Sequence, residues 1–219
     1  MRIVSISDTH TKHWDIKIPD GDVFVHAGDI SFFNHSNDHY SDFDDWLVSL
    51  PHKHKVFVAG NHDVLFECDR THALRLVPNG IFLHDEATEI DGLKFYGSCW
   101  QPAYYNWAFN IHREEDLAKQ WAKIPEDTDV LITHTPPYQI ADTTYGNNGN
   151  AESVGCKALA KRLQNIYPKL HVFGHIHACG GFRKQIGNTF FANVSYYENK
   201  SEPLVVDIEN GKVSVVEEW

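Results

Sequence analysis

Short apolar runs closed by polar clusters set the rhythm of the chain. Ile3 to Ser7, Val23 to Ala27, Val56 to Ala59, Val130 to Thr133 and His171 to Phe173 are brief and bounded by Gly, Asp, Asn or His, a pattern that predicts buried strands. Further strands are predicted at Ile81 to His84, Leu93 to Gly97, Thr189 to Val194, Leu204 to Ile208 and Val213 to Val216. Asn210-Gly211 between the last two marks a hairpin turn. Helical spacing lies between strands. Asp38 to Leu50 carries Phe43, Trp46, Leu47 and Leu50 on one face, and Pro51 stops it. Glu67 to Val77, Arg113 to Lys123 and Glu152 to Tyr167 show the same period; in the last, Cys156, Leu159, Ala160, Leu163 and Ile166 form an apolar stripe. Strands alternating with helices, followed by a strand-rich tail, predict an α/β sandwich with a mixed sheet or two sheets.

Two irregular stretches interrupt the rhythm. Ser98 to Asn110 holds Trp100, Tyr104, Tyr105, Trp107 and Phe109; packing against the body is the expected role, stacking a nucleobase the alternative. Pro136 to Ser153 is a long Pro-, Gly- and Asn-rich loop directly after His134, where some substrate contact is expected.

The polar clusters that end the five strand runs are Asp8-Thr9-His10, Gly28-Asp29, Gly60-Asn61-His62-Asp63, Thr133-His134 and Gly174-His175-Ile176-His177. In α/β sheets, functional groups gather beyond the carboxyl ends of strands. Side chains two apart on an extended segment share a side, so Asp8 is expected to converge with His10, and His175 with His177. Two nearby divalent cations repel unless an anion lies between them, and Asp29 is the candidate. Oxygen and nitrogen donors without thiolate favour manganese, iron or zinc, without choosing among the three. His26, inside a strand run, is expected to be a core histidine or to support a ligand from behind, and His171 to be surface or structural.

Composition changes this picture little. The 219 residues fit one domain, 1–219, and 42% hydrophobic with 22% charged residues is ordinary for a globular chain. The net charge of −11 opposes long nucleic acids as partners but not a small anionic substrate near cations. The four cysteines form no C-x-x-C pair. A strand-like opening without a leader pattern, and no long apolar run, give a cytoplasmic expectation with no membrane partner. Nothing bears on oligomeric state.

The ordered series D-x-H, G-D, G-N-H-D, lone H and G-H-x-H resembles the calcineurin-like metallophosphoesterase family, and spans Asp8 to His177. Gly28-Asp29-Ile30-Ser31, Asp45-Trp46-Leu47, Thr133-His134-Thr135-Pro136-Pro137, Val154-Gly155-Cys156 and Leu170 to Gly174 further resemble its small brain-type members. The resemblance implies a four-layer αββα sandwich of two mixed sheets flanked by helices. It implies Asp8, His10 and His177 on a first metal, Asn61, His134 and His175 on a second, and Asp29 between them. His62 would be the catalytic imidazole, oriented by Asp63, with Asn61 and His62 meeting substrate. The implied reaction is hydrolysis of small phosphodiesters by water activated at the two ions, with cyclic nucleotides the leading test substrates. Phosphomonoesterase or protein Ser/Thr phosphatase is the alternative, and a non-catalytic scaffold a further one. The chain departs from those relatives at Ala178, where they often carry Glu, which leaves fine substrate contacts open.

Overall fold

A computed structural model describes residues 1–32, 36–146, 149–217 and 219. In chain order the elements are β1 (Arg2–Ile6), β2 (Val23–Ala27), α1 (Asn37–Ser49), β3 (His54–Val58), α2 (Val64–Cys68), α3 (Arg70–Leu76), β4 (Ile81–Phe82), β5 (Glu86–Ile90), β6 (Leu93–Ser98), β7 (Gln101–Pro102), β8 (Asn110–Ile111), α4 (Glu114–Trp121), β9 (Val130–Thr133), β10 (Thr143–Tyr145), β11 (Ala151–Ser153), α5 (Lys157–Arg162), β12 (Leu170–Phe173), β13 (Arg183–Ile186), β14 (Thr189–Asn193), β15 (Leu204–Glu209) and β16 (Lys212–Val215).

Two six-stranded mixed sheets form the body, in the orders β16-β15-β1-β2-β3-β4 and β13-β14-β12-β9-β6-β5. The inner strands run parallel: β1 with β2, β2 with β3, β6 with β9, and β12 with both β9 and β14. Antiparallel hairpins close three of the four edges, and β4 pairs parallel with β3 at the fourth. Alternation along the second sheet builds two cores. Val130, Ile132, Leu170, Val172 and Phe95 face the first sheet in the main core. Leu131 and Tyr96 point outward against Leu117 and Trp121 of α4 and Ala158 and Leu159 of α5. On the far side, Phe43 and Trp46 of α1 pack on Phe24 and Phe57 of the first sheet. Helix, sheet, sheet, helix is the expected layering.

Two helices differ from the periodicity. The stretch predicted as helix from Glu152 begins as β11, because Glu152 and Ser153 pair with Thr144 and Thr143. Gly155 then packs against the Pro137 backbone, and Cys156 starts α5 with its Sγ accepting from the Leu159 N–H. The Glu67 to Val77 stripe is split at Asp69, whose carboxylate caps α3 by accepting from the His72 N–H. Asn147 and Asn148 of the long loop lie outside the described residues.

The two sheets are stitched together beside the strand ends. Ser7, just past β1, donates its N–H to Val194 O at 3.0 Å and accepts from Tyr196 N–H at 3.0 Å. Val194 follows β14 of the other sheet, so this seam fixes one set of strand ends against the other.

Candidate metal centre

The clusters from both sheets meet at this seam. Asp8 and His10 follow β1, Asp29 follows β2, Asn61 and His62 follow β3, His134 follows β9, and His175 and His177 follow β12. Asp8, His10, Asp29 and His177 offer ligand atoms within 4.8 Å of one another, as do Asp29, His134 and His175. Asp29 belongs to both groups, as expected of a shared anion. Asn61 joins the second, with Oδ1 3.0 Å from His134 Nε2.

The convergence arises differently from the expected extended geometry. Asp8, His10, Asp29 and His175 have φ of 54°, 43°, 56° and 66°, in the left-handed region. Non-glycine residues seldom adopt it, and they do so where a site holds them. Three backbone bonds lock the turn: the N–H groups of Asp8, His10 and Thr11 donate to Gly28 O, Asp29 O and Ile30 O at 2.9, 3.1 and 2.9 Å. With its left-handed turn at His175, the chain places His175 and His177 in different groups, in line with the family resemblance and unlike the extended-segment reading.

Glycine makes room at two of these turns. A Cβ on Gly60 would fall on the Asp29 carboxylate and backbone, and one on Gly174 would fall on Ser7 Oγ and the Asp8 carboxylate. No side chain fits there without displacing the acidic ligands.

The protons of the site point away from it. His10 Nδ1 donates to Ser31 O at 2.9 Å, and His134 Nδ1 donates to Ala27 O at 2.9 Å. In its neutral form each ring therefore presents a bare Nε2 inward. His10 Nε2 lies 3.4 Å from His177 Nε2 and 3.8 Å from Asp29 Oδ2. His134 Nε2 lies 3.3 Å from Asp29 Oδ2, and His177 Nε2 lies 3.3 Å from Asp8 Oδ1. Acceptors facing acceptors in a buried place is unfavourable unless a cation lies among them. The residues thus fit divalent metal ions.

Electrostatics agree with the geometry. Burial opposes charge on His134, yet the Asp29 and Asp8 carboxylates hold its proton up to about 9. Burial alone would raise Asp8 and Asp29, but the facing imidazoles, His177 and His134 first, hold both well below the usual carboxylate range. Burial, with charged His134 nearby, pushes His175 down to about 3, so it stays a neutral donor. Metal and proton compete at His134, because a ligating imidazole must shed its proton.

His62 sits at the inner wall of the cleft. Its N–H donates to Asp29 Oδ1 at 2.9 Å, its Nε2 lies 3.8 Å from Asp29 Oδ2, and Trp107 packs on its ring at 4.5 Å between centroids. Burial pushes its pKa down, against the pull of Asp29. Asp63 does not hold the ring as expected. Both of its carboxylate oxygens accept from backbone N–H groups, of Gly60 and Ile30 at 2.9 and 3.1 Å and of Ser31 at 2.9 Å. It ties the loops carrying Asp29 and His62 together and steers His62 through the backbone.

Sequence reasoning missed several supporting groups. Ser7 Oγ donates to Asp8 Oδ2, and His175 N–H donates to both Asp8 oxygens. Buried Asn193 donates from Nδ2 to Gly174 O and Ile176 O at 3.4 and 3.1 Å, shaping the loop of His175. Thr9 and Gly28 both bond His26, as expected of a supporting histidine. Most of these contacts join segments distant in sequence and leave no local pattern, although a polar Ser7 closing an apolar run was a usable signal.

The site opens into a cleft of about 570 Å³, whose walls include Asn61, His62, Tyr104, Trp107, Thr144 and Glu198. The aromatic stretch divides: Phe109 is buried, whereas Tyr104 and Tyr105 are 50% and 71% exposed, so packing does not account for them. The long loop reaches the cleft through Thr144, and Val154 just after it lines the same cleft.

Comparison with known proteins agrees with this geometry. The family model described as calcineurin-like phosphoesterase matches residues 1–179. Human metallophosphoesterase domain-containing protein 1 is 34% identical over 235 residues, covering 94% of this chain and 71% of that protein. The Caenorhabditis elegans UPF0046 protein K07C11.7 is 36% identical, covering 89% and 69%. In fold, the chain is similar to TT1561 of Thermus thermophilus, with a TM-score of 0.64 at 16% identity over 98% of this chain and 97% of that one. No helix among the described residues is long and apolar enough to cross a membrane. The strand-end ligands, the double sheet and the match across most of its length make this chain a member of the calcineurin-like phosphoesterase family.

Proposed function

We propose that the chain is a hydrolase of small, nucleotide-like phosphodiesters that works with two divalent cations, manganese first among manganese, iron and zinc. Asp8, His10 and His177 hold one, Asn61, His134 and His175 hold the other, and Asp29 serves both. The observation that carries this reading is the ring of bare Nε2 and carboxylate oxygens around Asp29, with the His10 and His134 Nδ1–H groups turned outward. When bound, such cations polarise the phosphoryl oxygens and acidify water. His62, fixed by its backbone bond to Asp29 and by Trp107, supplies a hydrogen bond or proton to the leaving oxygen. Asn61 faces both the cluster and the cleft, and so orients substrate.

The cleft lining supports a diester. Among its described residues none is Lys or Arg, and Glu198 adds a negative charge at the rim. A dianionic monoester would meet that carboxylate without a compensating guanidinium, whereas a diester carries a single charge. Exposed Tyr104 and Tyr105, in edge contact with each other and packed on Trp107, offer π-faces for a planar ring on one ester arm. The same acidic rim, with the net charge of −11, disfavours long nucleic acids.

Manganese-loaded protein, assayed on a bis-aryl and a mono-aryl phosphate and then on 2′,3′ and 3′,5′ cyclic nucleotides, tests this reading. The diester is expected to turn over faster. A faster monoester makes the chain a phosphomonoesterase or protein phosphatase, and protein that takes up no metal and gains no activity makes it a scaffold.

A further inference from the structure

His177 is supported differently from the other ligands. His10 and His134 are braced from behind by backbone carbonyls of the strand ends. His177 Nδ1 instead faces a carboxylate, Glu198 Oε1 at 3.5 Å. Two neighbours of Glu198 close on the same residue. Tyr197 packs against the His177 ring at 5.4 Å and the His10 ring at 4.8 Å between centroids. Asn199 Nδ2 donates to His177 O at 3.0 Å. His177 is thus gripped on its ring, its outer nitrogen and its carbonyl by three consecutive residues.

The grip is anchored at one end and open at the other. The segment arrives from β14 through the Ser7 seam, where Ser195 is buried. Lys200 closes it in a tight turn, its N–H donating to Tyr196 O at 2.7 Å with φ of 47°. Glu198 itself is on the cleft rim, with its side chain 59% exposed. The Nδ1 partners of His10 and His134 are instead the backbone carbonyls of buried Ser31 and Ala27.

We infer that Tyr197, Glu198 and Asn199 form a positioning clamp that sets the cation affinity of the half of the centre containing His177, independently of the half containing His134. The inference rests on the two-cation reading above. Glu198 accepts the Nδ1–H of His177, which fixes the tautomer and turns Nε2 toward Asp8 and His10. Asn199 fixes the backbone, and Tyr197 fixes the rotation of the ring. Losing such a partner of a metal ligand costs roughly 10–100-fold in affinity. Because the clamp touches no residue of the other group except through shared Asp29, the effect is confined to one ion. None of the three is a catalytic residue.

The test is manganese binding to chelator-stripped protein, followed by calorimetry and by the visible spectrum of the cobalt-substituted protein. Glu198→Ala and Asn199→Ala are compared with Glu198→Gln, whose amide oxygen still accepts the Nδ1–H, and with Lys200→Ala as a control on the same turn. Wild type is expected to bind two ions. Glu198→Ala is expected to weaken one by about tenfold or more, leave the other unchanged and alter the spectrum of one cobalt. Asn199→Ala should weaken the same ion, Glu198→Gln should recover part of the loss, and Lys200→Ala should change neither. Melting in excess chelator is expected to match wild type for all four. Two wild-type ions with unchanged affinities in Glu198→Ala and Asn199→Ala would overturn the clamp alone. Equal weakening of both ions would also overturn it, as a general disturbance. Wild-type protein that binds no second ion would overturn the two-cation reading, and the clamp with it.

Discussion

The first sheet brings both acidic ligands to the centre, Asp8 and Asp29, whereas the second brings only imidazoles, His134, His175 and His177. The closest opposite-charge pairs therefore cross between sheets: Asp29 with His134 at 3.3 Å and Asp8 with His177 at 3.3 Å. Within the first sheet, His10 keeps 3.8 Å from Asp29. The centre is a property of the seam. Neither sheet alone holds a balanced ligand set, and the anions lie where they face imidazoles rather than one another. A carboxylate pair without those imidazoles would be costly to bury.

The largest way to break this arrangement is to remove the charge that the first sheet contributes to both ions. Asp29→Asn keeps the shape but takes away the shared anion. Metal content is expected to fall below two ions, and turnover to drop by more than the roughly 10–100-fold that follows loss of an outer partner of a ligand. Metal analysis beside steady-state rates on a bis-aryl phosphate checks this. Two ions retained with near wild-type rates would mean that Asp29 does not bridge.

A smaller effect separates ligands from the imidazole that only adjoins them. His62 belongs to the first sheet and faces the cleft, with Nε2 3.8 Å from Asp29 Oδ2. His62→Gln is expected to leave both ions bound and to lower turnover by roughly 10²-fold or more. The loss should be greatest for poor leaving groups, which need a proton most. Full activity on a poor leaving group would remove His62 from the reaction.

The division between the sheets also explains what the sequence could disclose. The strand ends were legible because Ile3 to Ser7, Val23 to Ala27 and Val130 to Thr133 are short apolar runs, and burial on both faces requires that. The clustered residues were legible because they follow such runs in the order of the family's motifs. Two things were not. The left-handed turns at Asp8, His10, Asp29 and His175 depend on backbone bonds between β1 and β2 and on contacts across the seam, so local propensity gave no sign and favoured extended geometry. The helix predicted from Glu152 failed because strand pairing with Thr143 and Thr144 outweighed a helical period that was real only from Lys157 onward. Tyr197, Glu198 and Asn199 were silent for the same reason: what they touch is about twenty residues away in sequence.

The finest comparison lies within the second sheet. His134 and His171 are both fully buried and stand on or beside adjacent strands, β9 and β12. The carboxylates of the first sheet face His134 and hold its proton up to about 9, against burial. No carboxylate faces His171, which lies among Phe173 and Phe191 with Nε2 2.9 Å from Thr133 Oγ1, and burial pushes it down to about 3. Below its ordinary value of 6.5 the unfolded chain takes up a proton at His171 that the folded chain refuses. Stability is therefore lost as pH falls from 6.5 toward 3. At pH 5.5 the loss from this one group is roughly 1 kcal/mol, one pH unit's worth. His171→Gln removes the titration, so chemical denaturation at pH 7.5 and pH 5.5 should show the variant losing roughly 1 kcal/mol less than wild type on acidification. Equal losses in the two proteins would mean that His171 accepts its proton in place, and that the contrast with His134 owes nothing to the carboxylates of the first sheet.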